Sequence, residues 1–169
     1  MIEGYIFDYG GTIDTAGCHW GIKIWHTYQQ LKLPITEQQY RKAYVYAEQT
    51  LGKTPIIQPN FTFRRTLEEK IKLQFQYLQR QGIIAETGFA FAKNYTNIVE
   101  KIYADTAETT QQSKKELLKL RNKYPLVLVS NFYGNISVVL KEFNLDGIFS
   151  KIIENLMKQC EKNITHRDQ

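Results

Sequence analysis

Cross-links are almost absent from this chain. It has two cysteines, Cys18 and Cys160, in 169 residues. With no CxxC pair, neither a disulfide framework nor a cysteine-rich metal knuckle is expected, and the thiols read as free in a reducing compartment. No apolar run reaches the ~18 residues of a membrane span. The N-terminus has no basic stretch followed by an apolar one, so no secretory leader is read. The expectation is a cytoplasmic protein with no membrane partner, in which the sequons starting at Asn60, Asn94, Asn135 and Asn163 are chance matches. Internal repeats and low-complexity linkers are also missing.

A basic arm is missing too. The formal net charge is +5, but the cations are scattered. Lys70, Lys72, Lys114, Lys115, Lys119, Arg121 and Lys123 fall on expected helix faces beside Glu68, Glu69 and Glu116, and read as solvated helix surface. No nucleic-acid motif is present, so a nucleic-acid partner is not expected; binding that weakens steeply with salt would argue otherwise. What the chain does have is a 43% hydrophobic fraction, enough for a buried core in one domain, or in one domain with a sizeable insertion.

Three apolar runs read as strands. Tyr5-Ile-Phe7 is short, unbroken and closed by glycines; Leu126 to Ser130 is rich in β-branched residues and follows Pro125; Lys151-Ile-Ile153 is weaker. Between the first two, the pattern is helical. Trp20, Ile24, Thr27 or Tyr28, and Leu31 recur at helix spacing before Pro34. Thr36-Glu-Gln-Gln39 has the form of a capping box opening a helix to about Gln49. Thr66 is placed to cap a helix bearing Leu67, Ile71, Phe75 and Leu78, with Gly82 at its end. Tyr95, Ile98, Val99 and Ile102 make another stripe. Thr110 or Ser113 is placed to start a further helix with Leu117, Leu118 and Leu120, and a last one holds Ile136, Val139, Leu140 and Phe143. Strands alternating with helices predict an α/β fold with a parallel sheet, and the block at 16–105 is too long for a simple crossover.

The stretch Phe7-Asp8-Tyr9-Gly10-Gly11-Thr12-Ile13-Asp14 raises the functional question. Reactive groups of open α/β sheets sit just beyond the carboxyl ends of the strands. Asp8 stands there on the first strand and Ser130-Asn131 on the second. If the strands are neighbours, a carboxylate and a hydroxyl share one crevice. The carboxylate can act as nucleophile or metal ligand. The hydroxyl and the backbone N–H groups of Gly10, Gly11 and Thr12 can hold a phosphate. An Asp before Gly-Gly is also a common turn residue.

These residues resemble motif I of the haloacid dehalogenase (HAD) superfamily, usually written DxDGTxxD, and Val127 to Asn131 is similar to its motif II. The helical block between them is similar to the family's C1 cap. The resemblance covers about residues 1–154. It implies a Rossmann-like three-layer parallel sheet, made by 1–15 and 106–154, with a helical cap at 16–105 and an irregular or non-native tail at 155–169. It implies a Mg²⁺-dependent hydrolase, of phosphatase type, acting on a small phosphorylated or other anionic substrate. Asp8 would be nucleophile and metal ligand, Gly10 would offer its backbone carbonyl to the metal, Ser130 would bond the phosphoryl group, and Gly11, Thr12 and Asn131 would bind substrate. Asp14 reads as a local turn or cap residue. The cap aromatics Trp20, Trp25, Tyr40, Tyr44 and Tyr46 read as cap core more than as pocket lining.

Two departures stand out. Gly10 occupies the position where phosphatase members carry a second Asp, the general acid; dehalogenase members have an aromatic there and phosphonate-cleaving members an alanine, so both chemistries are alternatives. His19 and His26 are the cap residues placed to supply an acid in its stead. Aligning Phe149 to Glu154 with the family's third strand puts Lys162 at the motif III lysine, but Asn163 follows where proline is usual, and no GD-x-x-x-D segment occurs. The chain therefore reads as C-terminally truncated, and weak or inactive in this form, with the first strand left at a sheet edge. A non-catalytic HAD-fold module that binds an anion is the other reading.

Overall fold

The computed structural model describes residues 2–84 and 89–154. Its elements are β1 (Tyr5–Asp8), a turn at Tyr9–Ile13, α1 (Trp20–Gln30), α2 (Glu37–Lys53), α3 (Phe63–Arg80), α4 (Phe89–Arg121), β2 (Leu126–Ser130), α5 (Ile136–Glu142) and β3 (Lys151–Glu154). The protein is α/β, mostly helical, with one parallel three-stranded sheet in the order β1-β2-β3. Lys162, Cys160 and the rest of 155–169 lie outside the described residues.

All three expected strands form, and both crossovers step in the same direction across the sheet. Right-handed connections then place α4 and α5 against the same face. Leu126 and Leu128 on that face are buried in one cluster with Leu117 of α4 and Val139 and Leu140 of α5. The opposite face carries Ile6, Val127, Val129 and Ile153. Ile6 is 75% exposed. Among the described residues the sheet therefore has two layers where three were expected, because no crossover runs the other way. Among the described residues β1 pairs with β2 alone, which places it at the edge of the described sheet.

The helical block forms between β1 and β2. Thr36 caps α2 with both halves of the capping box, its hydroxyl accepting from the Gln39 N–H and the Gln39 side chain from the Thr36 N–H. Ala43 and Ala47, one turn apart, are buried on α2; such small residues let a neighbouring helix approach closely. Tyr28, Tyr40, Ile71 and Phe75 fill the space between α1, α2 and α3. The buried Tyr28 hydroxyl donates to Gln74 at 2.8 Å, so burying it leaves no orphan donor.

Two helix boundaries differ from expectation. The cap of α3 is Thr62, whose hydroxyl accepts from the Arg65 N–H at 3.1 Å. Thr66 lies inside the helix, donating to the Thr62 carbonyl and accepting from Asn135 Nδ2 at 2.8 Å. The two helices expected at 95–102 and after 110 are one. α4 runs 33 residues and crosses position 105, where a cap boundary was expected. Thr110 does not cap; its hydroxyl donates back to the carbonyls of Thr106 and Ala107, and Ser113 donates to the Ile13 carbonyl at 2.8 Å. Side chains satisfied in this way let a polar stretch remain helical.

Two side chains, Glu142 and Asn135, tie the helical block to the sheet layer, and Glu154 fastens the sheet layer internally. Glu142 of α5 accepts the first backbone N–H groups of α3, from Phe63 and Arg64. Asn135 Nδ2 reaches the Phe61 carbonyl and Thr66. Glu154 accepts the N–H groups of Gly134 and Ile136 at 2.8 and 3.2 Å, closing the start of α5. The asymmetry of the two sheet faces is measurable. Leu128→Ala should lose roughly 2–5 kcal/mol of unfolding free energy in urea. Ile6→Ala, on the open face, should stay within about 1 kcal/mol of the parent protein.

Candidate functional site

The parallel register pairs Asp8 with Val129. Ser130 is therefore the next residue on the adjoining strand, and the two strand tips stand side by side. Asp8, in extended conformation (φ −87°, ψ 149°), ends β1 and is exposed. Ser130 is 2% exposed. Its oxygen accepts the Phe132 N–H at 3.2 Å, which leaves the hydroxyl proton free to donate to a bound oxygen.

The turn after β1 is shaped by Asp14. Gly11 sits at φ 86°, in the left-handed region, where a side chain would be strained. Its N–H donates to Asp14 Oδ1 at 2.7 Å, while Trp20 Nε1 donates to Oδ2 at 2.9 Å. Asp14 is fully buried. Burial raises its pKa to about 6, against the Gly11 and Trp20 hydrogen bonds and the Lys23 charge, which pull it down. Asp14 is thus the turn residue the sequence suggested. It also takes the Gly11 N–H that had been expected to hold a phosphate.

A cavity of about 380 Å³ opens at the strand tips. Asp8, Gly10, Gly11, Ser130 and Asn131 line its sheet end, and residues of α1, α2 and α3 form its far wall. Of the expected site residues, Thr12 alone among those described is not brought there. It lines a separate hollow with Ile13, Ser113 and Leu117, because the turn at Gly11 reverses the chain and points the next residue at α4. Gly10 has φ −71° and ψ 122°, and a Cβ built on it meets nothing within 4 Å. The cavity therefore has room where a side chain is missing.

On the far wall stands His19, the cap of α1. Its Nδ1 accepts the Gly21 N–H at 3.1 Å, so in the neutral ring the proton is on Nε2. His26 is exposed on α1 and is not part of the cavity lining. Trp20 and Tyr44 line the cavity. Tyr40 is buried in the core with Trp25 stacked on it at 5.2 Å, and Tyr46 packs on a second cluster around Ala47 and Leu51.

The sequence reading missed Lys70, Glu48 and Tyr133. Lys70 is only 9% exposed. Its Nζ lies 2.8 Å from Glu48 Oε1, and the other Glu48 oxygen accepts from the Tyr133 hydroxyl at 3.0 Å. Burial lowers the lysine's pKa, but Tyr133, Glu48 and Tyr44 more than offset this, and the net shift is upward. Lys70 is a buried, charged ammonium rather than a solvated one. The signal was the helical period: position 70 follows Leu67 by three and precedes Ile71 and Gln74 on the buried face of α3.

Among the described residues, no three His, Cys, Asp or Glu side chains converge to hold a metal. The sheet end offers one free carboxylate, Asp8, beside the Gly10 backbone. That sparse set suits Mg²⁺, which is often held by one or two carboxylates plus water and phosphate oxygens. No protein-family model matches the chain, and a search of curated proteins finds no match.

The raised pKa of Asp14 has a sign that can be tested. An acid whose folded pKa lies at about 6, above its ordinary value of 3.8, contributes stability that is complete below pH 4 and lost as pH rises through 6. The stability of the parent protein relative to Asp14→Asn should therefore fall by about 2–3 kcal/mol between pH 4 and pH 7 in urea titrations. A difference that stays flat across that range would mean the carboxyl ionises normally.

Proposed function

We propose that the chain is a HAD-like hydrolase that cleaves a small phosphate ester with Asp8 as nucleophile. One observation supports this above the others. The Asp8 carboxylate and the Ser130 hydroxyl stand on adjacent parallel strand tips, lining one cavity, and the helices inserted between their strands wall it. A parallel sheet with a helical insertion after its first strand also fits the motif order of that superfamily, with 16–105 as cap.

In this reading Asp8 attacks phosphorus and the ester oxygen leaves with the P–O bond electrons. Water then hydrolyses the aspartyl-phosphate, so that ester and water give alcohol and phosphate. The Ser130 hydroxyl donates to a phosphoryl oxygen, and Asn131 lies beside it as a second donor. Asp8 and the Gly10 carbonyl would hold Mg²⁺, which supplies charge neutralisation between two anions. Gly10 has no proton for the departing oxygen, and missing general acid help costs ~10²–10⁴-fold. Esters with good leaving groups are therefore the favoured substrates. The same glycine favours the second reading, a module of this fold that binds an anion without turning it over.

Hydrolysis of p-nitrophenyl phosphate with Mg²⁺ separates the readings. Asp8→Asn should lower turnover by at least ~10³-fold. Gly10→Asp, which has room for its side chain, should raise turnover of an alkyl phosphate by ~10²–10⁴-fold. If the parent protein turns over neither ester, yet phosphate with Mg²⁺ raises its melting temperature, the binding module is the correct description.

A further inference from the structure

The phosphate-ester reading places the phosphoryl group at Asp8, Ser130 and Asn131, and the rest of the cavity must then receive the alcohol. Its polar capacity there is small. Lys70 is closed on Glu48 at 2.8 Å, and Tyr133 donates to the same carboxylate at 3.0 Å. Thr66 is engaged with Thr62 and Asn135. His19 has Nδ1 occupied by the Gly21 N–H, which leaves Nε2–H as one donor. Among the described residues a second anion would meet no unpaired cation, and it would face Glu48. A sugar or polyol carries more hydroxyls than Glu48, the Tyr44 hydroxyl and His19 Nε2–H can pair, and burying the remainder is costly.

What the wall has in quantity is aromatic rings. Trp20, Tyr44, Phe132 and Tyr133 are half-buried on the lining. Each is held by a neighbour: Trp20 by Phe63 at 5.7 Å, Phe132 by Tyr9 at 5.6 Å with rings at 84°, Tyr133 by Phe132 at 5.3 Å, and Tyr44 by Tyr40 at 6.0 Å. Rings braced from behind keep the cavity open and present faces and edges suited to another ring. We propose that the cavity takes the phosphate ester of a neutral aromatic alcohol of the phenol kind, whose oxygen leaves without a general acid, with one hydrogen-bond acceptor on the ring system read by His19 Nε2. This rests on the phosphate-ester reading.

The test uses Asp8→Asn protein with Mg²⁺, so that ligands are not consumed, and calorimetric titration with phenyl phosphate, cyclohexyl phosphate and glycerol 3-phosphate. The three share a phosphoryl group and differ in the alcohol. Phenyl phosphate should bind about 3- to 10-fold tighter than the cyclohexyl ester, with glycerol 3-phosphate weakest. Tyr44→Leu or Phe132→Leu, each added to Asp8→Asn, should bring the phenyl-to-cyclohexyl ratio close to one. Binding of inorganic phosphate should be unchanged in both, which shows that they remain folded. Equal affinity for the two ring esters, tighter binding of glycerol 3-phosphate, or no binding of any of the three overturns the proposal. Aromatic preference without turnover by the parent protein would sink the hydrolase reading and leave the ring site standing. Turnover without preference would do the reverse.

Discussion

The site depends on the parallel register of β1 and β2. Pairing Asp8 with Val129 brings a carboxylate and a hydroxyl, more than 100 residues apart in sequence, to adjacent strand tips. A slip of one residue would send the side chains of β1 to the opposite face. Leu126 and Leu128 are fully buried on one face of β2 and Tyr5 and Phe7 are partly buried beside them, while Ile6 faces out. The same apolar alternation that fills the core therefore fixes where the reactive groups stand.

Around that register two carboxylates join the layers. Asp14 ties the Gly11 turn to Trp20, and so couples the strand-tip loop to the first helix of the cavity wall. Glu48 joins Lys70 to Tyr133, and so couples α2 and α3 to the loop after Ser130. In both cases a carboxylate, fully buried in Asp14 and half-buried in Glu48, is shared between the sheet layer and the helical block. Removing one partner would leave a charge or a donor buried without compensation, which costs more than the pair itself contributes.

Much of this was legible in the residues, and the exceptions have physical reasons. Apolar runs at 5–7, 126–130 and 151–153 marked the strands because a sheet side buried under helices needs them. Thr36 with Gln39 marked α2 because both halves of a capping box are local. The start of α3 was misplaced by one turn: Thr62 and Thr66 are equivalent as caps locally, and Asn135, far along the chain, occupies Thr66. The break expected near residue 110 does not exist because threonine and serine there bond back to helix carbonyls or to Ile13. The role of Gly11 was half right. A turn at Gly10-Gly11 was foreseen, but the partner of the Gly11 N–H depends on Asp14 folding under that turn. Lys70 was hidden by its type, since lysine is rarely buried and only the stripe of α3 gave it away.

One further consequence follows from α4. At 33 residues it spans about 50 Å, beginning in the helical block and ending against the sheet. A helix does not fold like a hinge unless its ladder is broken, so one of the two covalent junctions between block and sheet is a stiff spar. The other is the short link from Thr15 to Cys18, where Ala16 (φ 53°) and Gly17 (φ 86°) depart from regular geometry. Any swing of the block against the sheet would have to turn about that one link, and would first break the hydrogen bonds that Asp14, Glu142, Glu48 and Asn135 make across the two layers.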